Sequence, residues 1–269
     1  MYKIIASDLD GTLLTPEHEI APYSREILCQ LHERGEHFVF ATGRHHLDVA
    51  RIRENVGIPA YMITSNGARV HDANDNLIFA ANVDAEIVVS LIEMVKDDPN
   101  LLIHLYQGDK WLISKESEEL RTYHKESGFS YELFDINTPP TNDIAKIFIT
   151  YPDHEYLATY ESRFNAAFTD QASIAFSTPW CLEVMGQGVS KGAALDAVAA
   201  LKGYTLKDCI AFGDGMNDKE MLEMAGKGLI MGTAHDKLKQ ALPTLDVIGS
   251  NREEAVAHYL NTHLFDITP

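Results

Sequence analysis

An alternation of short apolar runs with helix-spaced segments, present at both ends of the chain and broken in the middle, constrains the fold most. Residues 3–7 form a short β-rich run that ends in acid. Residues 22–33 carry Ile27, Leu28 and Leu31 at helical spacing, with Gly35 as a stop. Residues 37–41 are apolar and β-rich, residues 47–56 return to helical spacing before Gly57-Ile58-Pro59, and residues 60–64 form a third strand-like run. This β-α-β-α-β order predicts a parallel sheet with helices on both faces. The rhythm resumes after Gly188, where helical spacing at 191–201, 218–225, 235–241 and 252–260 alternates with strand-like runs at 209–212 and 228–231.

Between these pieces the pattern changes. Residues 68–72 and 76–80 flank the turn-like Ala73-Asn74-Asp75, which predicts a hairpin. A helical stretch opens at Ala85, and residues 101–106 and 110–114 flank Gln107-Gly108-Asp109, a second hairpin signal. Strand-like runs at 146–151, 173–176 and 181–185 surround a helical stretch at 153–168. The predicted class is therefore α/β: a Rossmann-like core in two pieces, residues 1–83 and 187–269, with an α+β domain carrying an antiparallel sheet inserted at 84–186. Ligands of open parallel sheets bind at the carboxyl ends of the strands, which says where to look for chemistry.

Charge narrows the ligand. The 269 residues include 22 Lys and Arg against 40 Asp and Glu, a formal net charge of −18. That excess opposes nucleic acid and anionic membranes, and any small anionic ligand must find positive charge supplied locally. The three cysteines, Cys29, Cys181 and Cys209, form no CxxC pair, so neither a disulfide framework nor a zinc site is expected. The N-terminal run reaches Asp8 too soon for a signal peptide, and no uncharged apolar stretch approaches the about 20 residues of a membrane span. A cytoplasmic protein is expected, and oligomeric state leaves no trace in the sequence.

Chemistry-bearing residues recur at the predicted strand ends. The first run leads into Asp8-Leu9-Asp10-Gly11-Thr12. In extended chain, Asp8 and Asp10 would share a face, and two carboxylates so close call for a hard divalent cation. An EF-hand is excluded, because its sixth loop position is Leu13 rather than glycine and a strand, not a helix, precedes it. The second run ends in Thr42-Gly43-Arg44 and the third in Ser65-Asn66-Gly67, small donors suited to phosphate oxygens or to helix capping. Lys191 opens a helix, the wrong end for a cation unless it has another task. Gly213-Asp214-Gly215-Met216-Asn217-Asp218 follows a late strand. Neither Gly186-x-Gly188 nor Gly213-x-Gly215 has the third glycine of a dinucleotide fingerprint, and no P-loop occurs.

Taken in order, D-x-D-G-T, T-G-R, a lone late lysine and G-D-x-x-N-D resemble the four motifs of the haloacid dehalogenase-like phosphohydrolase superfamily. The match spans both core pieces, and the insert resembles the C2-type cap of the Cof subfamily. The resemblance implies an Mg²⁺-dependent phosphatase of small phosphate monoesters, with sugar phosphates or pyridoxal phosphate as expected substrates. It implies Asp8 as the nucleophile, Asp10 as the acid and base, and Thr42 and Lys191 as holders of the phosphoryl oxygens. It further implies Gly43, Arg44, Asn66 and Gly67 on the substrate side, and Asp8, the backbone carbonyl of Asp10 and Asp214 on the metal. Asn217 and Asp218 would orient Lys191 or water around the metal. A phosphotransferase such as a phosphomutase would use the same core, and a non-catalytic phosphoester-binding module would not need the intact Asp8 and Asp10. Substrate choice is expected in the cap. Lys146 there can meet an anion, and Trp180 is expected to pack in the core, with stacking on a substrate ring as the alternative. Arg44, His45 and His46 are expected near the cap or at a solvated helix start.

Overall fold

The computed structural model describes residues 2–123 and 129–265. The chain divides into two compact units, Met1–Ile78 with Ser190–Pro269, and Phe79–Val189.

The first unit is built on β1 (Ile4–Ser7), β2 (His37–Ala41), β3 (Tyr61–Thr64), β4 (Arg69–His71) and β5 (Leu77–Ala80). It also holds β12 (Cys209–Gly213), β13 (Lys227–Ile230) and β14 (Asp246–Val247). The sheet order is β14-β13-β12-β1-β2-β3-β4-β5. All pairs from β14 to β3 are parallel, with Ile4 opposite both Cys209 and His37, whereas β4 runs antiparallel to β3. The two-residue β14 has no readable sequence signal.

Side chains alternate between two buried faces, as a strand requires. Ile5, Phe38, Phe40, Ile210 and Phe212 join the core beneath α1 (Pro22–Glu33), α2 (His46–Val56) and α9 (Ala255–Leu260). Ile4, Ala6, Val39, Ala41, Cys209 and Ala211 join the opposite core, under α6 (Lys191–Leu201), α7 (Lys219–Met224) and α8 (Asp236–Ala241). Both faces being covered explains the nearly continuous apolar character of the strands. It also leaves the carboxyl ends as the place where polar groups can collect.

The second unit has the strand order β10-β11-β9-β6-β7-β8. Its strands are β6 (Leu102–Gln107), β7 (Lys110–Ile113), β8 (Tyr131–Leu133), β9 (Ile144–Thr150), β10 (Ala172–Thr178) and β11 (Cys181–Gly186). Helices α3 (Ala85–Val95) and α5 (His154–Ala167) cover one face, packing Leu91 and Phe164 against Ile103, Ile147 and Val184. The short α4 (Leu120–Tyr123) precedes β8. The expected antiparallel sheet needs one correction: β7 and β8 pair parallel, Trp111 opposite Tyr131. The long connection between them carries the chain back to start in the same direction, which a tight hairpin cannot do.

Two expectations for this unit fail. Trp180 is 55% exposed at the β10–β11 turn rather than packed in the core. Lys146 is buried and its Nζ donates to Glu183 Oε1 at 2.6 Å, so its charge is matched within the sheet and is not presented to an anion. Cys29, Cys181 and Cys209 are unbridged. No helix among the described residues is long and apolar enough to cross a membrane.

Candidate active site

β1 ends at Ser7 and the chain turns at once. Asp8 is extended (φ −62°, ψ 162°), and Leu9–Leu13 forms a single wide turn closed by the Leu14 amide on the Leu9 carbonyl at 2.9 Å. Gly11 stands at φ 80°, where a Cβ would lie 2.4 Å from an Asp214 carboxylate oxygen; only glycine fits. Because the strand stops before Asp8, the two-residue periodicity expected of Asp8 and Asp10 does not govern them. Their carboxylates take different partners.

Asp8 faces Lys191. The lysine Nζ donates to Asp8 Oδ1 at 2.7 Å and to Asp218 Oδ1 at 2.6 Å, and its side chain is 0% exposed. Ser190 caps α6 by accepting from the Ala193 amide at 3.1 Å, which sets the first turn on which Lys191 sits. Burial disfavours the ammonium, but Asp218 and Asp8 outweigh it and its pKa is raised. Asp218 also accepts, on Oδ2, from the amides of Asp214 and Gly215 at 3.0 and 2.9 Å. It is thus at once a cap of the turn after β12 and the partner of the lysine. Thr12 Oγ1 donates to Asp214 Oδ1 at 2.9 Å.

Asp8, Asp214 and Asp218 offer carboxylate oxygens that all lie within 4.8 Å of one another. Burial leads in raising the Asp8 pKa well above the carboxylate range; Lys191 opposes it and the neighbouring acids add to it. Burial, then Asp218, pushes Asp214 up to about 7. Three close carboxylates around one ammonium are short of positive charge, and an all-oxygen donor set suits a hard divalent cation such as Mg²⁺. The residues present fit that metal.

The raised pKa values have a consequence for stability. An acid whose pKa is higher in the folded than in the unfolded state contributes stability that is present below the unfolded value and lost as pH rises through the folded one. For Asp214 this window runs from about pH 4 to about pH 7. In EDTA, the melting temperature of the protein relative to that of Asp214→Asn is expected to fall across this window, and Mg²⁺ to restore it most at the upper end. Calorimetry over the pH series checks it; parallel curves for the two proteins would contradict it.

Asp10 is held on the other side. Arg44 Nε donates to Asp10 Oδ2 at 2.7 Å and Nη2 to Oδ1 at 2.6 Å, while Nη1 donates to Asp48 Oδ2 at 2.8 Å. His18 Nδ1 lies 2.9 Å from Asp10 Oδ1. Burial would raise the Asp10 pKa, but the bonds from Arg44 and His18 overcome it and hold the carboxyl far below its usual range. Beside an ionised carboxylate, His18 Nδ1 carries the proton and donates. Arg44 Nη2, 3.3 Å from that same nitrogen, is then a neighbour and not its hydrogen-bond donor. The bond to Asp10 raises the His18 pKa.

The second and third strand ends are joined. Thr42 Oγ1 accepts from the Arg44 amide at 3.1 Å, the Asn66 amide donates to the Thr42 carbonyl at 3.0 Å, and the Ser65 amide to the Arg44 carbonyl at 2.9 Å. Asn66 is left-handed (φ 57°), and its Oδ1 accepts from Asn217 Nδ2 at 3.1 Å. Gly67 (φ 103°) lies so close to α6 that a Cβ would meet the Ser190 carbonyl oxygen at 2.3 Å. Gly43 follows the buried Thr42 in the same loop.

The fold thus gathers Asp8, Lys191, Asp214 and Asp218 in one group, Asp10 with Arg44 in a second, and Asn66 with Asn217 in a third. His45 is buried, and its Nδ1 accepts from the Leu47 amide at 3.3 Å, which makes it the cap of α2 rather than a solvated residue. His46 stacks on His71 with centroids 4.5 Å apart. Three contributors had no role assigned from the sequence. Asp48 was legible as the i+4 partner of Arg44. Thr12 closes the first motif. His18, in the loop 16–19, carried no signal.

A family model described as haloacid dehalogenase-like hydrolase matches residues 5–260. A putative phosphatase of Haemophilus influenzae is 44% identical over 262 residues, 97% of this chain and 96% of the relative. A protein of Cronobacter sakazakii named HMP-PP phosphatase is 40% identical over 266 residues, 99% of this chain and 97% of its own. Among solved structures, a haloacid dehalogenase-like hydrolase from B. subtilis superposes with a TM-score of 0.85 at 26% identity, covering 97% of this chain and 99% of that one. With strand order, site geometry and nearly full-length relatives in agreement, the chain belongs to the haloacid dehalogenase-like hydrolases.

Proposed function

We propose that this protein is an Mg²⁺-dependent phosphatase that moves the phosphoryl group of a small phosphate monoester first to Asp8 and then to water. The observation that carries this reading is the buried Lys191 ammonium shared by Asp8 and Asp218, with Asp214 beside them, at the carboxyl ends of β1 and β12. A carboxylate there has Lys191 as its bonded cation, and a bound metal would add positive charge against its repulsion from a phosphoester.

Asp8 attacks phosphorus as the bond to the leaving oxygen breaks. Asp10 gives that oxygen a proton and later takes one from the water that cleaves the aspartyl-phosphate. Thr42, Gly43 and Lys191 donate to the phosphoryl oxygens, where charge develops. Arg44, Asn66 and Gly67 line the substrate side, and Asn217 supports Asn66. Asp218 orients Lys191. Asp8, Asp214 and the Asp10 carbonyl would hold Mg²⁺, which when bound supplies positive charge to the phosphoryl group. In the present arrangement Arg44 and His18 keep Asp10 ionised. Proton donation therefore requires Arg44 to leave it, and a phosphoester drawing on Arg44 supplies that exchange.

Sugar phosphates and pyridoxal phosphate are the proposed substrates, and the Cronobacter relative adds HMP-PP to those worth testing. Phosphate release from these compounds, with Mg²⁺ and with EDTA, tests the reading. Metal-dependent release of free phosphate is expected. An isomerised sugar phosphate without free phosphate would indicate a mutase, and binding without turnover a non-catalytic module; either would overturn it.

A further inference from the structure

His18 is an exposed loop residue, its side chain 53% accessible, with a left-handed backbone (φ 63°) that ordinary residues avoid. The loop holds this conformation through the His18 amide on the Thr15 carbonyl and the Thr15 amide on the Glu19 carbonyl, both at 2.9 Å. Asparagine or glycine would suit such a position better by backbone alone. What the imidazole adds is its Nδ1–H on Asp10 Oδ1 at 2.9 Å.

The two partners of Asp10 differ in how they are anchored. Arg44 is tethered on its far side by the buried Asp48 at 2.8 Å, and its Nε and Nη2 occupy both Asp10 oxygens. Once those donors turn to a phosphoester, the bidentate grip on Asp10 is lost. His18 would then be left on Oδ1 to keep the carboxyl oriented, and Oδ2 would have lost its Arg44 donor.

We propose that His18 is a positioning residue for leaving-group chemistry: it holds Asp10 by Oδ1 so that Oδ2 faces the departing oxygen. The inference rests on the proposed role of Asp10. In the step it serves, the Asp8–phosphorus bond forms and the phosphorus–oxygen ester bond breaks. The proton on Asp10 Oδ2 passes to the departing oxygen, leaving the carboxylate with its bond from His18.

The test compares leaving-group release from two esters in the first turnover, before the water step in which Asp10 also acts, under Mg²⁺ in the full-length enzyme. An alkyl phosphate needs its leaving oxygen protonated, whereas p-nitrophenyl phosphate leaves without help. His18→Gly removes the imidazole and suits the left-handed backbone. It is expected to lower the first-turnover rate of alcohol release from the alkyl ester about tenfold or more, a part of the roughly 10²–10⁴ that general acid catalysis supplies, and to change that of nitrophenol release by less than about twofold. His18→Asn, whose amide can stand in for Nδ1–H, is expected to recover most of the loss. Equal loss on both esters, no loss on either, or no recovery in His18→Asn would overturn the proposal. Asp10→Asn separates the two layers. If it too fails to distinguish the esters, the role of Asp10 is wrong; if it distinguishes them and His18→Gly does not, only the role of His18 is wrong.

Discussion

Asp8→Asn is expected to abolish phosphate release, lowering kcat by roughly four orders of magnitude or more, as removal of a nucleophile does. It should do so without unfolding the protein. The substitution replaces a buried carboxylate, already resisting ionisation and crowded by Asp214 and Asp218, with a neutral group of the same shape. Lys191 keeps Asp218 at 2.6 Å as its counter-charge. The melting temperature of the metal-free variant is therefore expected to equal or exceed that of the unsubstituted protein near neutral pH. Steady-state kinetics and calorimetry on the same preparation check both halves. Turnover near the original rate would remove Asp8 as the nucleophile, and lost turnover accompanied by lost structure would leave its chemical role without support.

Lys191→Met is expected to damage both stability and rate. The ammonium has no exposed surface and lies between two carboxylates, Asp8 and Asp218. Deleting one member of a buried ionic group leaves the others uncompensated, at a cost of about 3–5 kcal/mol. On the proposed role of Lys191, the same deletion removes a donor from the phosphoryl oxygens, at a cost of about 10²–10³ in kcat. The double variant Lys191→Met/Asp218→Asn separates the two effects. With one fewer unmatched carboxylate it should regain much of the stability and none of the activity. Recovery of both together would mean that Lys191 serves the fold alone.

The residues of the candidate site differ in how far the sequence discloses them. Asp8, Lys191, Asp214 and Asp218 are legible because each follows a recognisable strand or opens a recognisable helix, and such ends converge in a parallel sheet. The alternation of Ile4, Ile5 and Ala6 between two covered faces was equally legible, since period two is a local property. Partner choice is not local. Asp10 and Arg44 meet across 34 positions of sequence, and Lys191 and Asp8 across 183. Lys146 looked available until β9 and β11 paired and set Glu183 against it. Trp180 looked like a core residue until the β10–β11 turn placed it outside.

The sequence by itself determined the class of fold, the order of the motifs and the residue types collected at the strand ends. It did so because hydrophobic periodicity and turn residues act over a few positions along the chain. Only the tertiary structure decided which carboxylate faces which cation: Asp8 and Asp218 the lysine, Asp10 the arginine and His18. That choice depends on β1 ending one residue before Asp8, and on the backbone of a loop that turns His18 toward Asp10. Such pairings are settled by distance in space and by desolvation, and neither quantity is written in the spacing of residues.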